Sequence, residues 1–101
     1  MNVVLTLTPG EAATVRAILH RILPPRITVH VFGSRATGEP KAWSDLDLAL
    51  EGPAPLTLAV MAELAEAFDE SDLPWKVDLV DRMSVSDDFG QIIDASKVAL
   101  G

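Results

Sequence analysis

The residues of this chain whose types and spacing could do chemistry lie between Phe32 and Leu48. Gly33-Ser34 follows an apolar, β-branched run, and after ten further residues come Asp45 and Asp47, one residue apart, where a second apolar run begins. Side chains two positions apart in an extended strand share a face, about 7 Å from one another. Asp45 and Asp47 therefore converge on one space. Two carboxylates so close raise each other's pKa unless a cation lies between them, and oxygen donors without cysteine or clustered histidine select a hard ion, Mg²⁺ or Mn²⁺. At the other end of the connection, Gly33 permits a sharp turn and close approach of phosphate oxygens to main-chain NH groups, Ser34 adds a hydroxyl donor, and Arg35 adds a cation. Either half alone is a common feature, a turn dipeptide or a solvated strand end. Together they set a phosphate cradle facing metal ligands across a hairpin-like connection, the pattern a triphosphate with its metal ions requires.

Asp78 supplies a third carboxylate. It lies in Lys76-Val77-Asp78-Leu79-Val80-Asp81, a run that reads as a strand able to lie beside Asp45 and Asp47. Three carboxylates around two divalent ions form a site for in-line attack on phosphorus. By strand alternation Asp81 points to the opposite face, so Asp78 and Asp81 cannot both serve; position in the strand favours Asp78.

The elements that must hold these groups alternate between strand and helix. Met1 to Leu7 reads as an edge strand or a loose leader. Thr8-Pro9-Gly10-Glu11 is a helix start, with a capping threonine, proline where a missing NH costs nothing, and a capping-box glutamate. Val15, Ile18, Leu19 and Ile22 then repeat on one face, and Pro24-Pro25 ends the helix. Ile27 to Phe32 is the first main strand. Leu46 to Leu50, apolar apart from Asp47, is a central strand buried on both faces. Leu56 to about Phe68 is a second helix with Leu58, Met61, Ala62 and Ala65 on its core stripe. Ser86-Asp87-Asp88 opens a last helix, with Phe89, Ile92, Ile93 and Ser96 on its inner side. Lys97 to Gly101 either adds a short strand or stays loose. The expected fold class is α/β with two layers, a small mixed sheet flanked by about three helices, in one domain spanning residues 1–101.

The 101 residues carry 15 acidic against 8 basic side chains, a net charge of -7. Such a balance repels a long polyanion, since non-specific nucleic-acid binding rests on basic residues. It suits a small nucleotide brought in with cations, and either a basic protein partner or simple solubility. No run approaches the roughly 18 apolar residues of a membrane span, and the N-terminus lacks the pattern of a signal peptide. There is no cysteine, so disulfides and thiolate metal sites are excluded and the expected compartment is the cytoplasm. Mean hydropathy is +0.27, which reads either as an exposed apolar contact patch or as the weight of alanine in the helices.

The run Gly33-Ser34-Arg35-Ala36-Thr37-Gly38 followed by Ser44-Asp45-Leu46-Asp47-Leu48 resembles the minimal nucleotidyltransferases, small single-domain members of the DNA polymerase beta-like superfamily. The likeness extends to Leu7-Thr8-Pro9, Val31-Phe32-Gly33-Ser34, Val77-Asp78-Leu79-Val80-Asp81 and Phe89-Gly90-Gln91-Ile92-Ile93. The resemblance implies that Ser34 contacts the nucleotide phosphates, that Asp45 and Asp47 bind metal, and that Asp78 is the third catalytic acid. It also implies ATP as donor, Mg²⁺ as cofactor, and transfer of AMP to a hydroxyl with loss of pyrophosphate. Many relatives carry a second basic residue where this chain has Thr37, which leaves Arg35 as the cation of the turn, with Lys41 within reach if the loop folds back.

So short a domain leaves little room for a pocket for a second substrate, and the acceptor is expected to arrive on another molecule. Members of this family are often paired with HEPN-domain proteins, frequently ribonuclease toxins, and can act as antitoxins by adding AMP to a toxin tyrosine. That is the partner the resemblance implies, in a homo- or hetero-oligomer. Two alternatives stand beside it: an antitoxin that masks its partner without catalysis, and a transferase acting on small molecules, as aminoglycoside nucleotidyltransferases do. His30 reads as a packed strand residue, Trp75 as core or interface, Trp43 as a loop anchor or a cover for the base, and Arg82 as a surface cation or a phosphate contact.

Overall fold

A computed structural model describes residues 7–37 and 45–100, and for Ser34 and Thr37 the backbone only. The order of elements is α1 (Pro9–Ile22), β1 (Thr28–Phe32), α2 (Ser34–Thr37), β2 (Leu46–Glu51), α3 (Leu58–Asp69), β3 (Val77–Asp81), α4 (Asp87–Ser96) and β4 (Val98–Ala99). The sequence expectations for Lys41, Trp43, Ser44 and most of the Met1 to Leu7 segment fall outside the described residues.

Each main helix begins where its side chains can satisfy the free NH groups of a first turn. Thr8 Oγ1 accepts from the Glu11 NH at 3.1 Å while Glu11 Oε1 accepts from the Thr8 NH at 3.0 Å, a closed capping box. Thr57 and Ser86 cap α3 and α4 in the same way, accepting from the Val60 and Phe89 NH groups. The chain leaves α1 at Leu23, directly before the two prolines that cannot continue it.

The strands form one mixed sheet in the order β3-β2-β1-β4, with β2 in the interior. β1 is antiparallel to both β2 and β4, and β2 is parallel to β3. Alternation divides β2 between two faces. Leu46, Leu48 and Leu50 are fully buried beneath α1 and α3 with Val15, Ile18, Leu19, Val31, Leu64 and Phe68. Asp47 and Ala49 point the other way, where Phe32, Ala49 and Ile93 make a smaller cluster under α4. The small mixed sheet with about three helices is as expected. α1 and α3 form the main helical layer, and α4 covers part of the opposite face. The tail resolves into β4, held on β1 by the Leu100 NH donating to the Val29 carbonyl, and Arg16 Nη2 ties α1 to the Leu100 carbonyl at 2.9 Å.

Three expectations need correction. The core stripe of α3 keeps Met61 but is rotated away from Leu58, Ala62 and Ala65: Leu58 is 89% exposed and both alanines are exposed, while Leu64 and Phe68 are buried with Val60, Met61 and Ala67 beside them. Burial gain scales with apolar area, so leucine and phenylalanine outweigh two alanines in setting the helix's rotation. In α4, Ile93 and Gly90 are buried but Ile92 is 63% exposed and Phe89 sits at the edge. Gly90 is the reason: the Arg82 guanidinium occupies the space a side chain there would need, and the helix settles along Gly90 and Ile93. Finally, Ser34 to Thr37 is a single helical turn, α2, rather than plain turn, and its Ala36 is buried in the main core.

Candidate active site

Register brings the site together. Asp47 of β2 stands beside Asp78 of β3 in the parallel ladder and opposite Phe32 of β1 in the antiparallel one. Phe32 runs directly into Gly33, so the turn after β1 and the carboxylates of β2 and β3 occupy one end of the sheet, on the face that carries α4. Gly33 has φ +75°, a conformation that L side chains rarely adopt. A Cβ at this position would fall on the Asp47 carboxylate. Glycine is therefore required twice, once for backbone shape and once to let the carboxylate approach the turn.

Asp47 is half-buried and Asp78 is exposed. Burial, then the charges of Asp78 and Asp45, and a hydrogen bond shared with Asp78, push the Asp47 carboxyl up from 3.8 to about 6. Asp45 is exposed and lies one residue before the strand, outside the ladder that pins the other two. Its charge is felt by Asp47, but among the described residues no group of three or more carboxylates and imidazoles closes around one point. Asp45, Asp47 and Asp78 are thus arranged as a registered pair with a third acid in electrostatic range. The donor chemistry of that set, carboxylate oxygens whose mutual repulsion raises a pKa, fits a hard divalent cation.

Arg35 is placed differently from a phosphate-facing cation. It is 4% exposed, and its guanidinium lies 4.5 Å from the centroid of the Trp75 ring. Trp75, itself buried, lies two residues before β3. Arg35 therefore connects the turn after β1 to the entrance of the strand that carries Asp78, a contact that sequence reasoning missed because its partner is 40 residues away.

Asp81 is committed elsewhere: Oδ2 accepts from the Leu56 NH and the Ser84 hydroxyl, both at 2.9 Å, and Oδ1 from the Met83 NH at 3.0 Å. It organises the loop after β3 from the opposite face of the sheet. Arg82 is bound through two nitrogens to Asp94, with Nη2 to Oδ2 at 2.9 Å, and Asp94 also meets Lys97 at 3.1 Å. The Arg82 and Lys97 hydrogen bonds hold the Asp94 carboxyl down at about 2. His30 packs in β1 with its Nδ1 buried and, among the described residues, without a hydrogen-bond partner, and desolvation followed by the Lys97 charge lowers its pKa.

A cleft of about 730 Å³, lined by Arg16, Leu19, Leu23 and Ile27 among others, contains none of these aspartates. Volume does not locate the chemistry here; converging carboxylates beside a glycine turn do. No helix among the described residues is long and apolar enough to cross a membrane.

Residues 13–99 match the family described as nucleotidyltransferase domain. The probable protein adenylyltransferase MntA of Haemophilus influenzae is 49% identical over 83 residues, covering 82% of this chain and 72% of that protein. A crystal structure of a toxin-antitoxin with AMP-PNP superposes with a TM-score of 0.75 at 28% identity, over 89% of this chain and 72% of the other. A mutant of the toxin-antitoxin MntA-HpeT superposes at 0.68 with 27% identity, over 88% and 69%. With most of its length matched and a relative at this identity, the chain belongs to the nucleotidyltransferase domain family.

Proposed function

We propose that this nucleotidyltransferase moves AMP from ATP to a hydroxyl, a tyrosine in the first instance, of a HEPN-domain toxin, and so serves as the antitoxin of the pair. The observation that carries the reading is the Asp47–Asp78 register directly beside the Gly33 turn. It is supported by the name of the Haemophilus relative, a protein adenylyltransferase, and by the toxin-antitoxin complexes among the similar structures, one of which holds AMP-PNP. The HEPN class of the partner is what the sequence resemblance implies.

In this reading the main-chain NH groups at Gly33 and Ser34 bind the triphosphate, with the Ser34 hydroxyl as a further donor. Asp45, Asp47 and Asp78 would hold Mg²⁺, which when bound neutralises phosphate charge and lowers the pKa of a nearby hydroxyl. The acceptor oxygen attacks the α-phosphorus and forms a phosphodiester. The bond from the α-phosphorus to the bridging oxygen breaks, and pyrophosphate leaves with the electron pair. The hydroxyl proton passes to the Asp78 carboxylate, which is exposed. Arg35, buried on Trp75, keeps α2 and β3 in fixed relation, so that the phosphate turn and the carboxylates do not drift apart.

The test is to incubate the protein with labelled ATP and Mg²⁺, with and without the HEPN-domain product of the neighbouring gene, and to read AMP on protein by intact mass. Label on the partner that vanishes with Asp45→Ala or Asp47→Ala is expected. The buried Arg35 and the unclosed set of three aspartates favour a second reading, neutralisation by masking alone. Absence of label, together with full neutralisation by Asp45→Ala, would replace the first reading with the second.

A further inference from the structure

We infer that the flank of α4 formed by Phe89 and Ile92 is the docking surface for the acceptor protein, and that its occupant is an apolar segment with basic neighbours. This deepens the transfer reading above and rests on it. Phe89 and Ile92 lie one helical turn apart, so they share a flank. Phe89 is 37% exposed and packs edge-on against Phe32, with ring centroids 6.1 Å apart. Phe32 is the direct cross-strand partner of Asp47. The apolar flank therefore begins one side chain away from the carboxylate pair, on the same face of the sheet, and Ile92 extends it outward.

The opposite flank of α4 is closed. Arg82 lies over Gly90 and binds Asp94, and Lys97 joins Asp94 to Glu51 at the far end of β2. Those cations are committed to intramolecular partners at the end of the strands away from the site. On the Phe89 flank the exposed charge that α4 carries is negative, Asp88 one turn before Ile92, and the chain as a whole carries a net charge of -7. Ile92 and Phe89 make an apolar strip that continues through Phe32 to the carboxylate pair, and the charge beside it selects what covers it. A tyrosine carried on an apolar segment with lysine or arginine beside it meets the patch with its body and the acidic rim with its flanks, and its hydroxyl is delivered to the carboxylate end.

The experiment uses the full chain with the same HEPN-domain protein and measures three quantities: affinity for that protein, affinity for ATP with Mg²⁺, and the rate of AMP transfer. Ile92→Asp, a change at an exposed position, is expected to weaken partner affinity and transfer by roughly tenfold or more, as loss of an interface anchor does. ATP affinity and melting temperature should stay at wild-type values. Leu58→Asp, equally apolar but on α3 against the other face of the sheet, should change none of the three. Partner binding should also weaken as salt rises. Unchanged partner affinity in Ile92→Asp would overturn the inference. So would a loss confined to ATP affinity, which would make the flank a platform for the base, or a change confined to self-association. If the wild-type protein binds the partner through this flank yet transfers no AMP, the surface stands and the transfer reading falls; if transfer proceeds and Ile92→Asp leaves it intact, the reverse holds.

Discussion

Replacing Asp47 with asparagine should make the cation-free protein more stable while abolishing its activity. The carboxyl has been moved from 3.8 to about 6 by burial and by Asp78 and Asp45. Because its folded value lies above its unfolded value, the folded state binds more protons in that interval, and stability falls as pH rises through it. The contribution is fully present below about 3.8 and lost above about 6. At about 1.4 kcal/mol per pH unit the displacement corresponds to at most about 3 kcal/mol, and solvent screening of a half-buried group reduces this to roughly 1 kcal/mol. Asparagine keeps the shape, can share a hydrogen bond with Asp78, and carries no charge. The assay is thermal or urea unfolding of both proteins in EDTA across pH 3.5 to 8, read as the difference between the two curves. Asp47→Asn should gain about 1 kcal/mol at pH 8, about 4–8 °C for a domain of this size, and nothing near pH 3.5. Millimolar Mg²⁺ should narrow the gap by stabilising the wild type more than the variant. An asparagine variant that is less stable at pH 8, or one whose gain is the same at both ends of the range, would refute the placement of Asp47 as a strained member of a carboxylate pair.

Two further changes probe the frame around that pair. Gly33→Ala forces a side chain into a φ of +75° and onto the Asp47 carboxylate; a loss of about 1–3 kcal/mol by urea unfolding and a fall in AMP transfer of at least tenfold are expected. A variant that unfolds and reacts like wild type would show that the glycine does not shape the site. Trp75→Leu removes the ring beneath the Arg35 guanidinium along with buried aromatic area, and should cost about 2–4 kcal/mol. Its KM for ATP should rise as α2 loses its fixed position against β3; loss of stability with an unchanged KM would make the contact purely structural.

Much of the fold was legible because its signals are local. Thr8, Pro9 and Glu11 mark the start of α1 within four residues, and the two prolines mark its end. Leu46 to Leu50 reads as a central strand because burial on both faces leaves an almost unbroken apolar run. Rotation of α3 and α4 about their own axes was not legible. Alanine and leucine both count as apolar in a periodic pattern, and the choice between them is settled by which side chains meet a surface of matching volume. In α4 the choice was settled by Arg82 reaching across Gly90 from a different element.

The candidate site divides along the same line. Sequence by itself determined which groups are available, a glycine turn and three aspartates with hard oxygen donors, because side-chain chemistry travels with residue type. It also determined that Asp78 and Asp81 face opposite ways, since strand alternation is a property of the backbone. Only the tertiary structure decided that Asp78 stands directly beside Asp47, that Asp45 lies just outside the ladder, and that Arg35 rests on Trp75. Those are matters of register and packing between segments tens of residues apart. They depend on how the whole core closes, which no local pattern encodes.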